Sequence, residues 1–234
     1  METAVIIPSY NEKDNIEKII SAIRSVLKDA VIIVVDDNSP DYTASVVKKL
    51  QKKDTNVHLI IRKQKDGRGS AVMAGFLHAF KNTKFKTFIE MDADFSHDPS
   101  ELPLLIKKVK FDTVVIASRY LKGSRIIDWP LSRKITSRLS NFLIRSVLGL
   151  PIGDNTNGFR CYSRQAAEIL IQHHFRTKGY IVLSESSYLL FKKGFQFQEL
   201  KTVFHNRKSG KSKTTVGEFI NSFINMFNIL RLKT

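Results

Sequence analysis

Two aspartates separated by one small residue follow a strand-like segment near the middle of the sequence. Asp92 and Asp94 flank Ala93 directly after the run Thr87–Met91. Paired carboxylates of this kind can hold Mg2+ or Mn2+ while leaving coordination positions for phosphate oxygens and water. Such an ion would neutralise the charge that grows on a departing diphosphate. An acidic loop without metal has the same composition, so the pair alone leaves both interpretations open.

Polar segments also follow the first two strand-like runs. In Pro8-Ser9-Tyr10-Asn11-Glu12, an aromatic ring and a carboxylate could stack on a base and bind its edge or the ribose. In Asp36-Asp37-Asn38-Ser39-Pro40-Asp41, three carboxylates repel each other unless a cation or hydrogen-bond donors lie nearby. A capped helix start and an ordinary polar turn are the structural alternatives.

Glycines and cations mark further candidate phosphate contacts. Gly67-Arg68-Gly69-Ser70-Ala71 matches neither a dinucleotide fingerprint nor a P-loop, so it is either a phosphate contact or an ordinary loop before a helix. Ser118-Arg119-Tyr120 follows a strand, and Arg133 and Ser137 come later in the chain. Runs of charge are usually solvated faces, but cations at the ligand-binding edge of a sheet favour phosphate. The last basic cluster comprises Arg207, Lys208, Lys211 and Lys213.

The elements that position these residues alternate between strand and helix patterns. Short β-branched runs separated by helical periodicity predict an α/β fold with a mostly parallel, doubly wound sheet. In such sheets the ligand lies beyond the carboxyl ends of the strands, where the polar segments fall. The predicted strands are Ala4–Ile7, Val31–Val35, Val57–Ile61, Thr87–Met91 and Thr113–Ala117.

The second half of the chain is less regular. Residues 119–134 are predicted to form a long loop and residues 134–150 a helix. Further predictions are strands over 158–162 and 195–203, a helix that includes residues 185–191, and a basic loop over 204–215. Apolar residues at helical spacing predict a C-terminal amphipathic helix over 216–234, which packs or lies on a membrane surface. Residues 1–215 would then form the catalytic domain.

Composition excludes several classes of protein. With 234 residues, 42% of them hydrophobic, the chain is expected to form one globular domain. Cys161 is the only cysteine, which excludes an intramolecular disulfide and a cysteine-based zinc site. Neither a signal peptide nor a membrane-spanning run of 18 apolar residues is expected. The 38 Lys and Arg against 22 Asp and Glu give a net charge of +16, which suggests an anionic partner.

These motifs occur in one order along the chain, and together with Asp154-Asn155-Thr156-Asn157-Gly158-Phe159-Arg160 they carry a family resemblance. The chain resembles the inverting GT-A-fold glycosyltransferases of family 2, and among them the polyprenyl-phosphate (dolichyl-phosphate) mannosyltransferases. The resemblance covers nearly the whole chain. It implies transfer of mannose from GDP-mannose to a polyprenyl or dolichyl phosphate, with Mg2+ or Mn2+ as cofactor.

The resemblance also implies residue roles. Asp92 and Asp94 would bind the metal, and Arg119, Arg133 and Ser137 would receive the acceptor phosphate. Asp94, Arg119 and Arg207 are the candidate catalytic residues. Ser96 replaces a Gln of some relatives and Ile181 replaces a Lys, so the participation of Ser96 and Lys178 stays open. The candidate nucleotide-sugar contacts are Pro8, Tyr10, Glu12, Val35, Asp37, Asp92, Ala93, Asp94, Arg119, Arg207 and Lys213.

The chemistry of a phosphate acceptor predicts a single displacement with inversion. A phosphomonoester has a second pKa of about 6, so it is already nucleophilic at neutral pH and needs no protein base. Its obstacle is repulsion from the donor diphosphate, which a cationic pocket reduces. A lipid acceptor implies a peripheral protein at the anionic, cytoplasmic face of a membrane, with a separate membrane-anchoring subunit left open.

Three alternatives remain at this point. A transferase with another substrate would share the motifs, either a UDP-glucose-dependent polyprenyl-phosphate glucosyltransferase or an enzyme that places a sugar on a soluble hydroxyl. A non-catalytic nucleic-acid-binding protein would explain the positive charge. Carboxylates gathered at strand ends would repel nucleic acid, however, and no RNA-binding motif is present, so no nucleic-acid partner is expected. An inactive relative acting as a scaffold would not need both Asp92 and Asp94.

Overall fold

The computed structural model describes residues 2–81, 84–177, 179–206, 226 and 228–231, within which strands and helices alternate. The strands are β1 (Thr3–Ser9), β2 (Val31–Asp36), β3 (Val57–Ile61), β4 (Thr87–Glu90), β5 (Thr113–Ser118), β6 (Arg125–Ile126), β7 (Arg160–Ser163), β8 (Gln196–Lys201) and β9 (Val203–Phe204). The α-helices are α1 (Lys13–Val26), α2 (Thr43–Gln51), α3 (Arg68–Phe80), α4 (Leu102–Lys108), α5 (Leu131–Leu148), α6 (Arg164–Gln172) and α7 (Val182–Lys192).

Seven strands form the central sheet in the order β3-β2-β1-β4-β7-β5-β8. Every neighbouring pair is parallel except those made by β7, which runs antiparallel to both β4 and β5. The predicted mostly parallel sheet is therefore confirmed. Because β7 runs in the opposite direction, the residues before it lie at the edge where the carboxyl ends of β4 and β5 emerge. Glu90 pairs there with Arg160.

Helices cover both faces of this sheet. On one face, Ile16, Ile19 and Ile23 of α1 are buried in a cluster that includes alternate residues of β1 and β2. On the other face, Phe76 of α3 makes edge contacts with Phe88 and Tyr162, with ring centroids 5.6 and 5.5 Å apart. A strand buried on both faces has no polar alternation, which explains the continuous apolar runs in the sequence.

Two of the predicted segments are wrong. Residues 119–134 are not one loop, because they contain β6 and the first turn of α5, which begins at Leu131 directly after Pro130. The loop is predicted because residues 119–134 are basic and contain too few apolar residues to show helical periodicity, and the apolar stripe of α5 begins only at Leu131. The strand predicted over 195–203 is interrupted at Thr202, whose hydroxyl donates to Glu101 (2.6 Å). After this interruption, β9 pairs with β6 in a separate two-stranded sheet.

The predicted C-terminal helix and the basic loop before it lie mostly outside the described residues. Met226 and Ile229 are described, and both are buried in the core on the α3 side of the sheet. The division into residues 1–215 and 216–234 therefore stays a prediction. In the ranges given above, no helix is long and apolar enough to cross a bilayer.

Candidate active site

The polar residues that follow β1 and β2 are joined at one edge of the sheet. Ser9 Oγ donates to Asp36 Oδ1 (3.0 Å), and the Asp37 N–H donates to the Ser9 carbonyl (3.1 Å). Ser39 donates to Asp36 from both its N–H (2.9 Å) and its hydroxyl (2.6 Å). The hydrogen bonds donated by Ser9 and Ser39 thus offset the negative charge of Asp36. They also fix the geometry of this edge of the sheet.

Asp37, a candidate nucleoside contact, forms a buried ion pair with Arg62. Arg62 Nε and Nη2 donate to the two carboxylate oxygens of Asp37 at 2.5 and 2.7 Å. The same guanidinium donates to Ser70 Oγ and to the carbonyl of Gly67 (3.2 Å). Arg62 therefore ties the end of β2 to the loop that begins α3. The only sequence signal for Arg62 is its position directly after β3.

The other candidate nucleoside contacts lie at the same edge. Pro8 and Val35 are paired in register on adjacent strands, so they occupy one level of the sheet. The Tyr10 ring is partly exposed, with Lys65 Nζ 3.9 Å from its centroid. Glu12 precedes the first turn of α1, and its Oε2 accepts from Asn15 (2.9 Å). An exposed ring beside a cation is suited to stack on a base near a phosphate.

Asp92 and Asp94 follow β4 and differ in their surroundings. Asp92 Oδ1 accepts from Arg68 Nε (2.7 Å). Asp94 Oδ1 accepts from the N–H of Ser96 (3.0 Å), which closes a tight turn around Phe95, a residue with φ of 59°. Ala93 between them is buried. Ser96 is itself buried, and its carbonyl also accepts from the N–H of His205 (3.2 Å).

His97 is hydrogen-bonded to the backbone of this turn. Its Nδ1 accepts from the Asp92 N–H (3.1 Å), so the proton is on Nε2, which donates to Asn157 Oδ1 (2.9 Å). Burial lowers the pKa of His97, and the charges of Asp92 and Asp94 only partly oppose that effect. A neutral His97 stacked on Phe159 at 5.0 Å therefore shapes the acidic turn. This geometry makes His97 a structural residue of the acidic turn.

The acidic turn fits a divalent cation that arrives with phosphate ligands. Across the described ranges, no group of three or more His, Cys, Asp or Glu side chains could hold a metal by itself. The protein would contribute the two carboxylates of Asp92 and Asp94 to such a site. A two-carboxylate set completed by phosphate oxygens and water suits Mg2+ or Mn2+.

Arg119, directly after β5, is buried against Asp154. Its Nε and Nη2 donate to the two oxygens of Asp154 at 2.8 and 2.7 Å, and Nη2 also donates to Thr156 Oγ1 (2.7 Å). Burial alone would raise the pKa of Asp154, but the charge and hydrogen bonds of Arg119 outweigh it, so the pKa is lowered. The Arg119 guanidinium also lies 5.5 Å from the Trp129 ring and 5.3 Å from the Phe204 ring.

Arg133 and Ser137 lie one turn apart on α5, beside Arg119. The Arg133 guanidinium stacks over Trp129, 3.9 Å from the ring centroid, and donates to Asn206 Oδ1 (3.0 Å). Ser137 Oγ accepts from the Tyr120 hydroxyl (2.6 Å). Burial raises the pKa of Tyr120, so Tyr120 remains a donor at neutral pH. Arg119 and Arg133 thus both lie near the Trp129 ring, and Ser137, one turn along α5 from Arg133, bonds to Tyr120, the residue after Arg119.

Some candidate residues lie outside the described part of the chain. These are Arg207, Lys213 and Lys178, whose roles stay predictions. Conversely, sequence reasoning left three partners unassigned. Arg62, Arg68 and Asp154 each form an ion pair with a candidate site residue. Asp154 and Arg68 both belong to segments noted in the sequence. Their partners, however, are 35 and 24 positions away in the chain, so the pairing could not be read from local sequence.

Sequence comparisons identify the family. The model of Glycosyl transferase family 2 matches residues 4–170. An undecaprenyl-phosphate mannosyltransferase of Micrococcus luteus is 33% identical over 217 residues, which are 93% of this chain and 89% of the relative. A polyprenol monophosphomannose synthase of Mycolicibacterium smegmatis is 35% identical over 213 residues, which are 90% of this chain and 80% of that protein.

Solved structures agree on the fold. A Mycobacterium tuberculosis glucosyl-3-phosphoglycerate synthase in complex with Mn2+, UDP and glucosyl-3-phosphoglycerate superposes with a TM-score of 0.63 at 18% identity, covering 97% of this chain and 78% of that one. The mannosyltransferase PcManGT of Pyrobaculum calidifontis, in complex with GDP-Man and Mn2+, gives 0.63 at 16% identity, covering 90% of this chain and 58% of that one. The predicted GT-A-like fold is therefore confirmed. The chain belongs to glycosyl transferase family 2.

Proposed function

We propose that this protein transfers mannose from GDP-mannose to a polyprenyl or dolichyl phosphate, with inversion at the sugar carbon. The observation that carries the proposal is a hydrogen-bonded connection between two charged centres. Asp92 bonds to His97, His97 to Asn157, and the Asn157 N–H to Asp154 (3.1 Å), which holds Arg119. This connection would hold an acidic centre for a metal-bound diphosphate near a cationic centre for a second phosphate. The two relatives named above carry the corresponding activity in their names.

Mg2+ or Mn2+ would be held by Asp92 and Asp94, and a bound divalent cation stabilises the departing diphosphate as a Lewis acid. Pro8, Tyr10, Glu12, Val35, Asp37 and Ala93 would line the nucleotide-sugar site, with Arg207 and Lys213 on its phosphates. Arg119, Arg133 and Ser137 would orient the acceptor phosphate. Because the acceptor is mostly dianionic at neutral pH, no residue needs to remove a proton from it. The cations instead reduce its repulsion from the donor.

We further propose that α5 rests on an anionic membrane surface, which brings the lipid phosphate to the helix that carries Arg133 and Ser137. Four apolar side chains on α5 are spaced by four, four and three residues and face solvent: Leu131 (72% exposed), Ile135 (58%), Leu139 (50%) and Phe142 (64%). Lys134, Arg138 and Arg145 lie on the same helix. Apolar insertion together with cations worth about 1 kcal/mol each near anionic lipid is typical of an interfacial helix.

Vesicle binding separates the membrane proposal from the proposal about transfer. Phe142→Ser should weaken binding to vesicles containing anionic lipid. Phe111→Ser is the matched control, because Phe111 is 71% exposed but lies outside α5. Equal binding by both variants would show that α5 is not the docking surface.

The transfer reaction is tested with radiolabelled GDP-mannose and a short polyprenyl phosphate. We expect the label to enter organic-extractable lipid only when Mg2+ or Mn2+ is added, and Asp94→Asn to reduce the rate at least a hundredfold. Transfer from UDP-glucose but not from GDP-mannose would support the proposed site and show that the donor sugar is glucose instead of mannose. Metal-independent transfer, or full activity of Asp94→Asn, would contradict the proposed role of the acidic turn.

A further inference from the structure

Arg68 opens α3 from the glycine-containing segment and joins three parts of the site. Its Nε donates to Asp92 Oδ1 (2.7 Å), Nη1 to Glu90 Oε2 (2.5 Å), and Nη2 to the carbonyl of Gly158 (2.8 Å). The side chain is 16% exposed, so most of its charge is withdrawn from water. From the sequence, this segment was interpreted as either a phosphate contact or an ordinary loop before a helix. In the structure, the Arg68 guanidinium instead forms an ion pair with Asp92, one of the candidate metal ligands.

The surroundings hold Arg68 in this position. A Cβ at Gly158 would lie 2.2 Å from Arg68 Nη2, so only glycine leaves room for the guanidinium there. Glu90 is buried, and its other oxygen accepts from the Tyr162 hydroxyl (2.6 Å). Burial opposes the charge on Arg68, but Asp92 and Glu90 outweigh it and keep the pKa of Arg68 above its ordinary value. Arg68 is therefore a fixed internal cation at all physiological pH values.

We propose that Arg68 is a positioning residue that holds Asp92 and competes with the divalent cation for its carboxylate, so that the metal binds tightly only together with the nucleoside diphosphate. The inference rests on the proposed function, because it takes Asp92 and Asp94 as the metal ligands. A +2 ion and a fixed +1 group that share one carboxylate repel each other. The diphosphate brings negative charge and oxygen ligands, which offset that repulsion and complete the coordination.

Electron paramagnetic resonance of Mn2+ tests this directly, because the signal of free Mn2+ gives the affinity with no activity measured. Arg68→Gln should bind Mn2+ alone at least about tenfold more tightly than the natural protein, as expected from removing one nearby unit charge. Saturating GDP should then enhance Mn2+ affinity by a correspondingly smaller factor, since the two bindings are thermodynamically linked. A residue that only stabilised the fold would not increase affinity when removed.

Two further variants keep the outcome interpretable. Arg68→Gln combined with Glu90→Gln removes the buried anion that the single variant leaves behind, and it should still bind Mn2+ more tightly than the natural protein. Arg68→Lys keeps a cation and should give a smaller increase. Mn2+ affinities within twofold of the natural protein in all three variants would overturn the inference. If Asp94→Asn leaves Mn2+ affinity unchanged in the presence of GDP, the metal site itself is wrong and the inference falls with it.

Discussion

Replacement of Asp154 by Asn isolates the ion pair that fixes Arg119. Asp154 is fully buried, and its carboxylate accepts from the backbone N–H of Arg119 (2.9 Å) as well as from the guanidinium. Loss of one partner leaves a buried guanidinium without a counter-charge. Such a loss costs about 3–5 kcal/mol of folding free energy. Because the Asn oxygen still accepts one hydrogen bond, we expect about 3 kcal/mol for Asn and about 5 kcal/mol for Ala.

Urea denaturation followed by circular dichroism measures this loss. Asp112→Asn is the control, since Asp112 is exposed and should change the free energy of unfolding by less than about 0.5 kcal/mol. Adding Arg119→Met to Asp154→Asn removes the unpaired charge but keeps an apolar stem beside Trp129, so the double variant should recover part of the stability. A loss below about 1 kcal/mol for Asp154→Asn would refute the reasoning.

The same ion pair has a pH dependence with a defined sign. The pKa of Asp154 is lowered in the folded protein, so the unfolded state takes up a proton first as the pH falls. The stabilisation is complete above the unfolded pKa of about 3.9 and is lost as the pH falls through the folded value. The stability difference between the natural protein and Asp154→Asn should therefore be constant near neutral pH and shrink below about pH 4.

Two further predictions concern packing and acceptor binding. A Cβ at Gly75 would lie 2.5 Å from Ile6 Cγ2, so Gly75→Ala should destabilise the protein by about 1–3 kcal/mol in urea unfolding despite the better helix propensity of Ala. Tyr120→Phe removes the hydrogen bond that orients Ser137, worth about 1 kcal/mol, so KM for polyprenyl phosphate should rise about fivefold while KM for GDP-mannose and kcat stay nearly unchanged.

Opposite results would identify the faulty assumption in each case. A stable Gly75→Ala variant would mean that α3 can move away from β1 without loss. An unchanged acceptor KM in Tyr120→Phe, with Ser137→Ala equally unaffected, would remove Ser137 from the acceptor site. A rise in the KM for GDP-mannose instead would assign this pair to the donor.

Local patterns in the sequence were sufficient to predict the strands and the acidic turns that follow them. Asp92 and Asp94 lie at the end of β4 because a buried parallel strand must be followed by a polar loop at the ligand edge. The antiparallel direction of β7 could not be predicted, because its apolar residues would suit either direction. This reversal brings Asp154 to Arg119, so the ion pair that orders the proposed acceptor site could not be predicted from the sequence either.

The exposed face of α5 was hidden for a different reason. Helix prediction relies on apolar periodicity and takes the apolar face as buried, whereas here Leu139 and Phe142 face solvent. The helix predicted over 134–150 begins three residues earlier in the structure, and the apolar membrane contact was predicted for the C-terminal helix instead of α5. Only the three-dimensional structure shows that the apolar face of α5 is exposed, on the same helix that carries Arg133 and Ser137.

The most direct test of the central claim is a competition between donors on one acceptor. Equimolar GDP-mannose and UDP-glucose, each with a distinct isotope label, are incubated with the protein, Mn2+ and a short polyprenyl phosphate. Mass spectrometry then identifies the lipid product, and NMR gives its anomeric configuration. We expect a single product, polyprenyl-phosphate mannose, with its anomeric configuration inverted relative to that of the donor. A glucosyl lipid, or retention of configuration, would contradict it.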